Sequence, residues 1–141
     1  MPIRVMHIIG QIGVGGCEMQ LLELCRRTNR EKYEFSVCYY SPDSDNMVEQ
    51  FQEAGVRLYY VNKFGGISPW RFFLTLRSFV RDFRPDIIQT WQYSPNCWGR
   101  LVALSCGYRR FLCSERSATA TFPRPLRILE LLLGRRTTYA V

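Results

Sequence analysis

An apolar run, Ile3–Ile9, ends at Gly10, passes through a glycine-rich loop and opens into a helical pattern from about Cys17 to Thr28. That order recurs down the chain and leaves few folds open. A near-continuous apolar run suits a strand covered on both faces, as in a parallel sheet; a strand covered on one face would alternate. Further strands are predicted at Glu34–Tyr40, Val56–Val61, Asp86–Trp91, Arg109–Ser114 and Thr137–Val141, with helices between them. One helix runs from a cap at Ser44 or Asp45 to about Ala54 and is stopped by Gly55. The next has Ser68 as N-cap and Pro69 at its first position, and it runs to about Arg84 before Pro85. Phe72, Phe73, Leu76, Phe79, Val80 and Phe83 form one wide apolar stripe along it. Ser94–Cys106, closed by Gly107, and Pro125–Gly134 complete the helices. Such alternation predicts an α/β fold: a Rossmann-like, doubly wound parallel sheet of about six strands in three α/β/α layers.

A chain of 141 residues has room for one core, so residues 1–141 read as a single domain. Apolar residues make up 47% and charged residues 22%, a balance that excludes a disordered chain. No apolar run approaches the roughly 20 residues that cross a bilayer. The first residues carry no small-residue cleavage site, which points to a cytoplasmic protein. The net charge of +7 is uneven, −2 over residues 1–61 and +9 over residues 62–141, and only Lys32 and Lys63 are lysine. A basic half can meet phosphates, anionic lipid or nucleic acid, or can simply be a solvated surface. The arginines are spread over several elements without a recognition motif, so nucleic acid is not expected as a partner. The six cysteines, at 17, 25, 38, 97, 106 and 113, contain no C-x-x-C pair, and the one histidine, His7, lies in an apolar strand. Metal-ligand spacing is therefore absent. The cysteines read as reduced core thiols and His7 as a core histidine.

The loop Gly10–Gly16, GQIGVGG, lies between a buried strand and a helix start. Backbone N–H groups there point outward and the helix dipole favours negative charge, so the junction suits an anion. The spacing is G-x-x-G-x-G-G. The dinucleotide pattern would need glycine at 18, where Glu18 stands, and the phosphate-loop pattern would need Gly-Lys-Ser/Thr. The second strand ends in Tyr40 and Ser41 without an acid for a ribose. Both a dinucleotide and a simple nucleoside-triphosphatase reading lose ground.

The stretch Ile8–Leu24, IIGQIGVGGCEMQLLEL, resembles the opening loop and first helix of the family 4 (group 1) glycosyltransferases, which commonly read G-G-x-G-x-G-G-A-E-x-x-L. The resemblance continues through Glu53-Ala-Gly-Val-Arg, Arg84-Pro-Asp-Ile-Ile-Gln-Thr-Trp, Gly99-Arg-Leu-Val-Ala-Leu and Ser114-Glu-Arg, in order along the chain. It implies the N-terminal, acceptor-side half of a GT-B enzyme, whose two Rossmann-like domains face each other across a cleft. The expected activity is retaining transfer of a sugar from a nucleotide-sugar to a glycan or lipid-linked acceptor, without a metal or other cofactor. By the same resemblance Gly13, Gly15 and Gly16 approach the donor phosphate or sugar. Trp91, Gln92 and Tyr93 after the fourth strand, with Glu115 and Arg116 after the fifth, are expected to contact the acceptor. Gln11 replaces a frequent glycine, and Trp91–Asn96 lacks the histidine common there, so no catalytic residue is assigned. The paired-glutamate motif and most nucleotide contacts of the family belong to a C-terminal domain that these residues do not include. The chain alone is therefore expected to be inactive, with that domain or a partner chain supplying the rest.

Trp91 also reads as a core tryptophan, Asn96 as a helix cap and Arg116 as a surface arginine. Helix Pro69–Arg84 adds Trp70, Leu74, Arg71, Arg77, Arg81 and Arg84 to its core stripe. Aromatic and basic residues at a helix edge suit peripheral contact with the inner face of an anionic membrane. The alternative function is a non-catalytic Rossmann-like module that binds an anion or a glycan.

Overall fold

The computed structural model of this protein describes residues 1–42, 46–108, 111–114 and 139–140. The strands are β1 (Ile3–Ile8), β2 (Tyr33–Tyr39), β3 (Arg57–Tyr60), β4 (Ile87–Trp91), β5 (Leu112–Ser114) and β6 (Tyr139–Ala140). The helices are α1 (Gly16–Arg27), α2 (Val48–Glu53), α3 (Pro69–Phe83) and α4 (Tyr93–Ser105). The six strands form one sheet in the order β3-β2-β1-β4-β5-β6, and every neighbouring pair is parallel. This is the doubly wound order expected from the sequence. The predicted helix Pro125–Gly134, the Ser44 and Asp45 caps and the first residues of the fifth strand lie outside the described residues.

The two-residue period of a strand puts alternate side chains on opposite faces. Met6 and Ile8 of β1 join one core with Phe72, Leu76, Val80 and Phe83 of α3 and Val102 and Ala103 of α4. Val5 and Ile9 join the other with Leu21, Leu22 and Cys25 of α1 and Phe51 of α2. Each large apolar side chain buried this way stabilises by about 1.5–3 kcal/mol, which is why the central strands read as unbroken apolar runs.

Local chemistry fixes the ends of α3. Ser68 Oγ accepts the Arg71 amide at 3.3 Å, and Pro69 opens the first turn. Arg84 closes the helix in the left-handed conformation at φ 51°, ahead of Pro85. The short α2 begins at Val48: Asn46 Oδ1 accepts the Val48 amide, and the Met47 amide is drawn to the Ile12 carbonyl at 2.7 Å. Asn96, expected as a cap, lies within α4 and is buried. Its Oδ1 accepts Thr90 Oγ1–H at 2.6 Å, and its Nδ2 donates to the Ser114 carbonyl. Helix α4 instead starts at Tyr93, with Gln92 as N-cap.

All six cysteines are free thiols; Cys25, Cys38, Cys97 and Cys113 are buried, while Cys17 and Cys106 are half-buried. Burial pushes the Cys25 thiol up to about 12 and raises Cys38 as well, so both stay protonated and inert. His7 is 1% exposed, and burial depresses it to about 3. Its Nδ1 accepts the Trp91 indole N–H at 3.2 Å, so the neutral ring carries its proton on Nε2.

Candidate functional site

Strand order reverses between β1 and β4, because β2 and β3 lie on one side of β1 and β4 to β6 on the other. In an open parallel sheet, ligands bind in the crevice beyond the carboxyl ends at that switch point. Two turns border it here. After β1 the chain runs through Gly10–Gly16, and after β4 it turns at Gln92 into α4. Gln92 has φ 70°, a conformation that costs a non-glycine residue free energy and clusters at functional sites.

The glycine turn is open only in part. Gly13 is buried, Gly15 is half-buried and Gly16 is exposed, with open space where a side chain would stand. Gly15 is the N-cap of α1, and no side chain caps the helix. Among the described residues no acceptor takes the Gly15 or Gly16 amide. Glu18, three residues on, is 3% exposed, and its carboxylate lies where a Gly15 side chain would project. That contact excludes any side chain at 15 unless Glu18 swings away. It also places one negative charge at the helix head, so an incoming anion has its unobstructed approach at Gly16.

On the β2 side of the crevice, backbone bonds gather three strand ends. The Gly10 carbonyl accepts the amides of Tyr40 and Ser41, at 3.2 and 2.8 Å, and the Tyr40 carbonyl accepts the Lys63 amide at 3.1 Å. A Cβ at Gly10 would stand 3.8 Å from Gln92 Oε1 and 4.0 Å from Tyr40 Oη, so these side chains converge over that glycine. Ser94, in the first turn of α4, accepts Tyr40 Oη–H at 2.7 Å and Lys63 Nζ–H at 3.2 Å. The Lys63 ammonium lies 5.1 Å from the Tyr40 ring centroid and 5.6 Å from those of Phe72 and Trp98. Desolvation lowers the Lys63 pKa and raises that of Tyr40. No carboxylate among the described residues lies within ion-pair distance of Lys63.

Of the residues singled out from sequence, Gln92 and Tyr93 stand half-buried at the crevice, at the end of β4 and the head of α4. Trp91 is 4% exposed, belongs to the α1-side core and spends its ring N–H on His7. Glu115 and Arg116 lie outside the described residues. Tyr40, Lys63 and Ser94 escaped sequence reasoning as a group, because only the folded β2, β3 and β4 ends bring positions 40, 63 and 94 together. The available signal was Lys63, one of two lysines in a chain whose other basic residues are arginine. Among the described residues no three His, Cys, Asp or Glu side chains are grouped to hold a metal ion, and no helix is long and apolar enough to cross a membrane.

These features define a Rossmann-like α/β domain with its ligand crevice at a switch point. The chain belongs to Glycosyltransferase Family 4, whose profile matches residues 14–139, and it is the N-terminal domain of the GT-B arrangement. It is similar to the capsular polysaccharide biosynthesis glycosyltransferase CapH of Staphylococcus aureus, 26% identical over 107 residues that cover 71% of this chain and 30% of that protein. It is similar also to EpsF of Bacillus subtilis (strain 168), whose name places it among the glycosyltransferases. Here the match is 28% over 82 residues, 58% of this chain and 21% of EpsF. The chain thus spans less than a third of either relative. Among solved structures, MurG of Acinetobacter baumannii superposes with a TM-score of 0.69 over 99% of this chain and 40% of that one, at 15% identity. UDP-GlcNAc 2-epimerase from Neisseria meningitidis, bound to UDP-GlcNAc, does so with a TM-score of 0.63 over 96% and 39%, at 14% identity. At such identities the superpositions establish the fold.

Proposed function

We propose that this domain is the acceptor side of a retaining glycosyltransferase. The enzyme moves a sugar from a nucleotide-sugar to a glycan or lipid-linked acceptor in polysaccharide or cell-surface glycan assembly. The observation that carries the reading is the pairing of an uncapped α1 head, open at Gly16, with the Gln92–Tyr93 turn after β4, the two turns that border the switch point. Family membership gives that crevice its chemistry: the acceptor hydroxyl attacks the anomeric carbon while the diphosphate leaves. Preorganised N–H groups aimed at the developing negative charge lower such a barrier. The epimerase with the same fold is bound to UDP-GlcNAc, which supports a nucleotide-sugar as the donor. No metal takes part, and the donor is held mainly by a C-terminal domain, on the same polypeptide or on a partner, without which this domain does not turn over.

Membrane contact belongs to the same reading. Trp70 is 67% exposed and Leu74 40%, beside an apolar recess of about 360 Å³ lined by Pro69, Trp70, Phe73, Trp98 and Leu101. A lipid-linked acceptor held at the inner face of a membrane would bring its headgroup close to the crevice.

Sugar transfer from a panel of UDP- and GDP-sugars tests the proposal. It should appear when residues 1–141 are joined to, or mixed with, a second α/β domain carrying paired glutamates, and it should survive EDTA. Gly16→Val should lower kcat by about tenfold or more by crowding the open amides. Unchanged transfer in Gly16→Val, or transfer that stops with EDTA, would count against it.

A further inference from the structure

The Ser94 hydroxyl already accepts two hydrogen bonds, from Tyr40 Oη and Lys63 Nζ. Its lone pairs are taken, so it can add a third partner only by donating its own proton. Among the described residues that proton reaches no acceptor. Lys63 has three N–H donors and spends one on Ser94; the others face aromatic rings, whose attraction for a cation is weaker than that of an oxyanion. The neighbouring Tyr93 and Ser94 amides begin α4, where the helix dipole favours negative charge. A half-buried ammonium, a hydroxyl able only to donate and a helix head converge, and among the described residues no carboxylate answers them.

We infer that Lys63, Ser94 and the α4 head form an oxyanion subsite for a phosphate or carboxylate carried by the acceptor, with Tyr40 positioning the serine. Assigning the anion to the acceptor rests on the acceptor-side reading above; the binding of an anion here does not. The aromatic faces of Tyr40, Phe72 and Trp98 keep water from one side of the ammonium, which strengthens its attraction for an anion relative to an exposed lysine. The same faces hold the side chain in one place, so little further ordering accompanies binding.

Amide chemical shifts of Lys63 and Ser94 in the 141-residue chain report the subsite directly. Glucose 6-phosphate, glucuronate, glucose and UDP serve as separate probes. Glucose 6-phosphate, glucuronate or both should shift the two amides saturably, and glucose should not. Lys63→Met, which keeps the length and apolar stem, should weaken the effective anion by about tenfold or more, and Ser94→Ala by several-fold. Lys32→Met, at an exposed lysine on the opposite end of the sheet, should leave it unchanged. No saturable shift with the sugar anions or with UDP, an equal response to glucose, or equal affinity in Lys63→Met overturns the subsite. A response to UDP alone overturns its assignment to the acceptor. Because no transfer is measured, absent activity with intact anion binding would sink only the proposed function.

Discussion

Replacing Gly99 with alanine tests how α4 is held on the sheet. Gly99 lies mid-helix, where alanine is ordinarily favoured over glycine by about 1 kcal/mol. The local packing reverses that sign. A Cβ at Gly99 would run into the Cγ2 methyl of Thr90, with Ile8 Cδ1 at 3.4 Å behind it. Thr90 cannot swing aside cheaply, because its hydroxyl donates to Asn96 Oδ1 at 2.6 Å and lies 3.3 Å from the Leu112 carbonyl and Cys113 Sγ. Rotation would withdraw the Thr90 hydroxyl from a buried amide oxygen at about 1–3 kcal/mol; retention would force α4 outward, with an overpacking cost of about 1–3 kcal/mol. Either route outweighs the propensity gain or matches it, so Gly99→Ala should lose up to about 2 kcal/mol in urea denaturation. Thr90→Ser removes the methyl and keeps the hydroxyl. In that background the cost of Gly99→Ala should fall by about 1 kcal/mol or more, a coupling a double-mutant cycle resolves. Stability above wild type in Gly99→Ala, or an undiminished cost beside Thr90→Ser, would refute the close-packing argument.

Buried neutral His7 should make the domain acid-sensitive. Its folded pKa, about 3, lies below the usual 6.5, so only the unfolded chain gains this proton between those values. Stability should fall by about 1.4 kcal/mol per pH unit as pH drops through that window, and His7→Gln should remove this slope in urea titrations. At the surface, the domain should co-sediment with vesicles containing anionic lipid, and Trp70→Ala with Leu74→Ala should weaken that binding by about tenfold. Equal binding by the double variant would remove α3 from the membrane contact.

The parallel sheet was legible because burial on both faces writes itself locally: Ile3–Ile9 needs no partner in sequence to be recognised as a covered strand. The ends of α3 were legible for the same reason, since Ser68, Pro69 and Pro85 act within their own turns. Long-range bonds decided the parts that were not. Asn96 has the composition of a cap, yet Thr90 and the Ser114 carbonyl, from two strands, draw it into the core. The start of α2 likewise depends on the Ile12 carbonyl, 35 positions away. Gln92 carries the left-handed backbone that a sequence reader would look for at a glycine.

Charge counting shows the same divide between local and assembled information. The excess of +9 in residues 62–141 suggests an anion surface somewhere but does not locate one. On α3, Arg71, Arg81 and Arg84 are exposed, where water and salt screen them. Arg4 and Arg57 share Glu34, and Arg26 and Arg27 share Glu23, all within residues 1–61 and so outside that excess. Lys63 contributes a single unit to the total. Its distinction is that the fold surrounds it with rings and a hydroxyl and, among the described residues, gives it no acid, so its field acts through a medium less polarisable than water. An anion at the crevice would therefore respond more to this one lysine than to the several arginines of α3, and the affinity loss in Lys63→Met should exceed that of Arg71→Met and Arg81→Met combined.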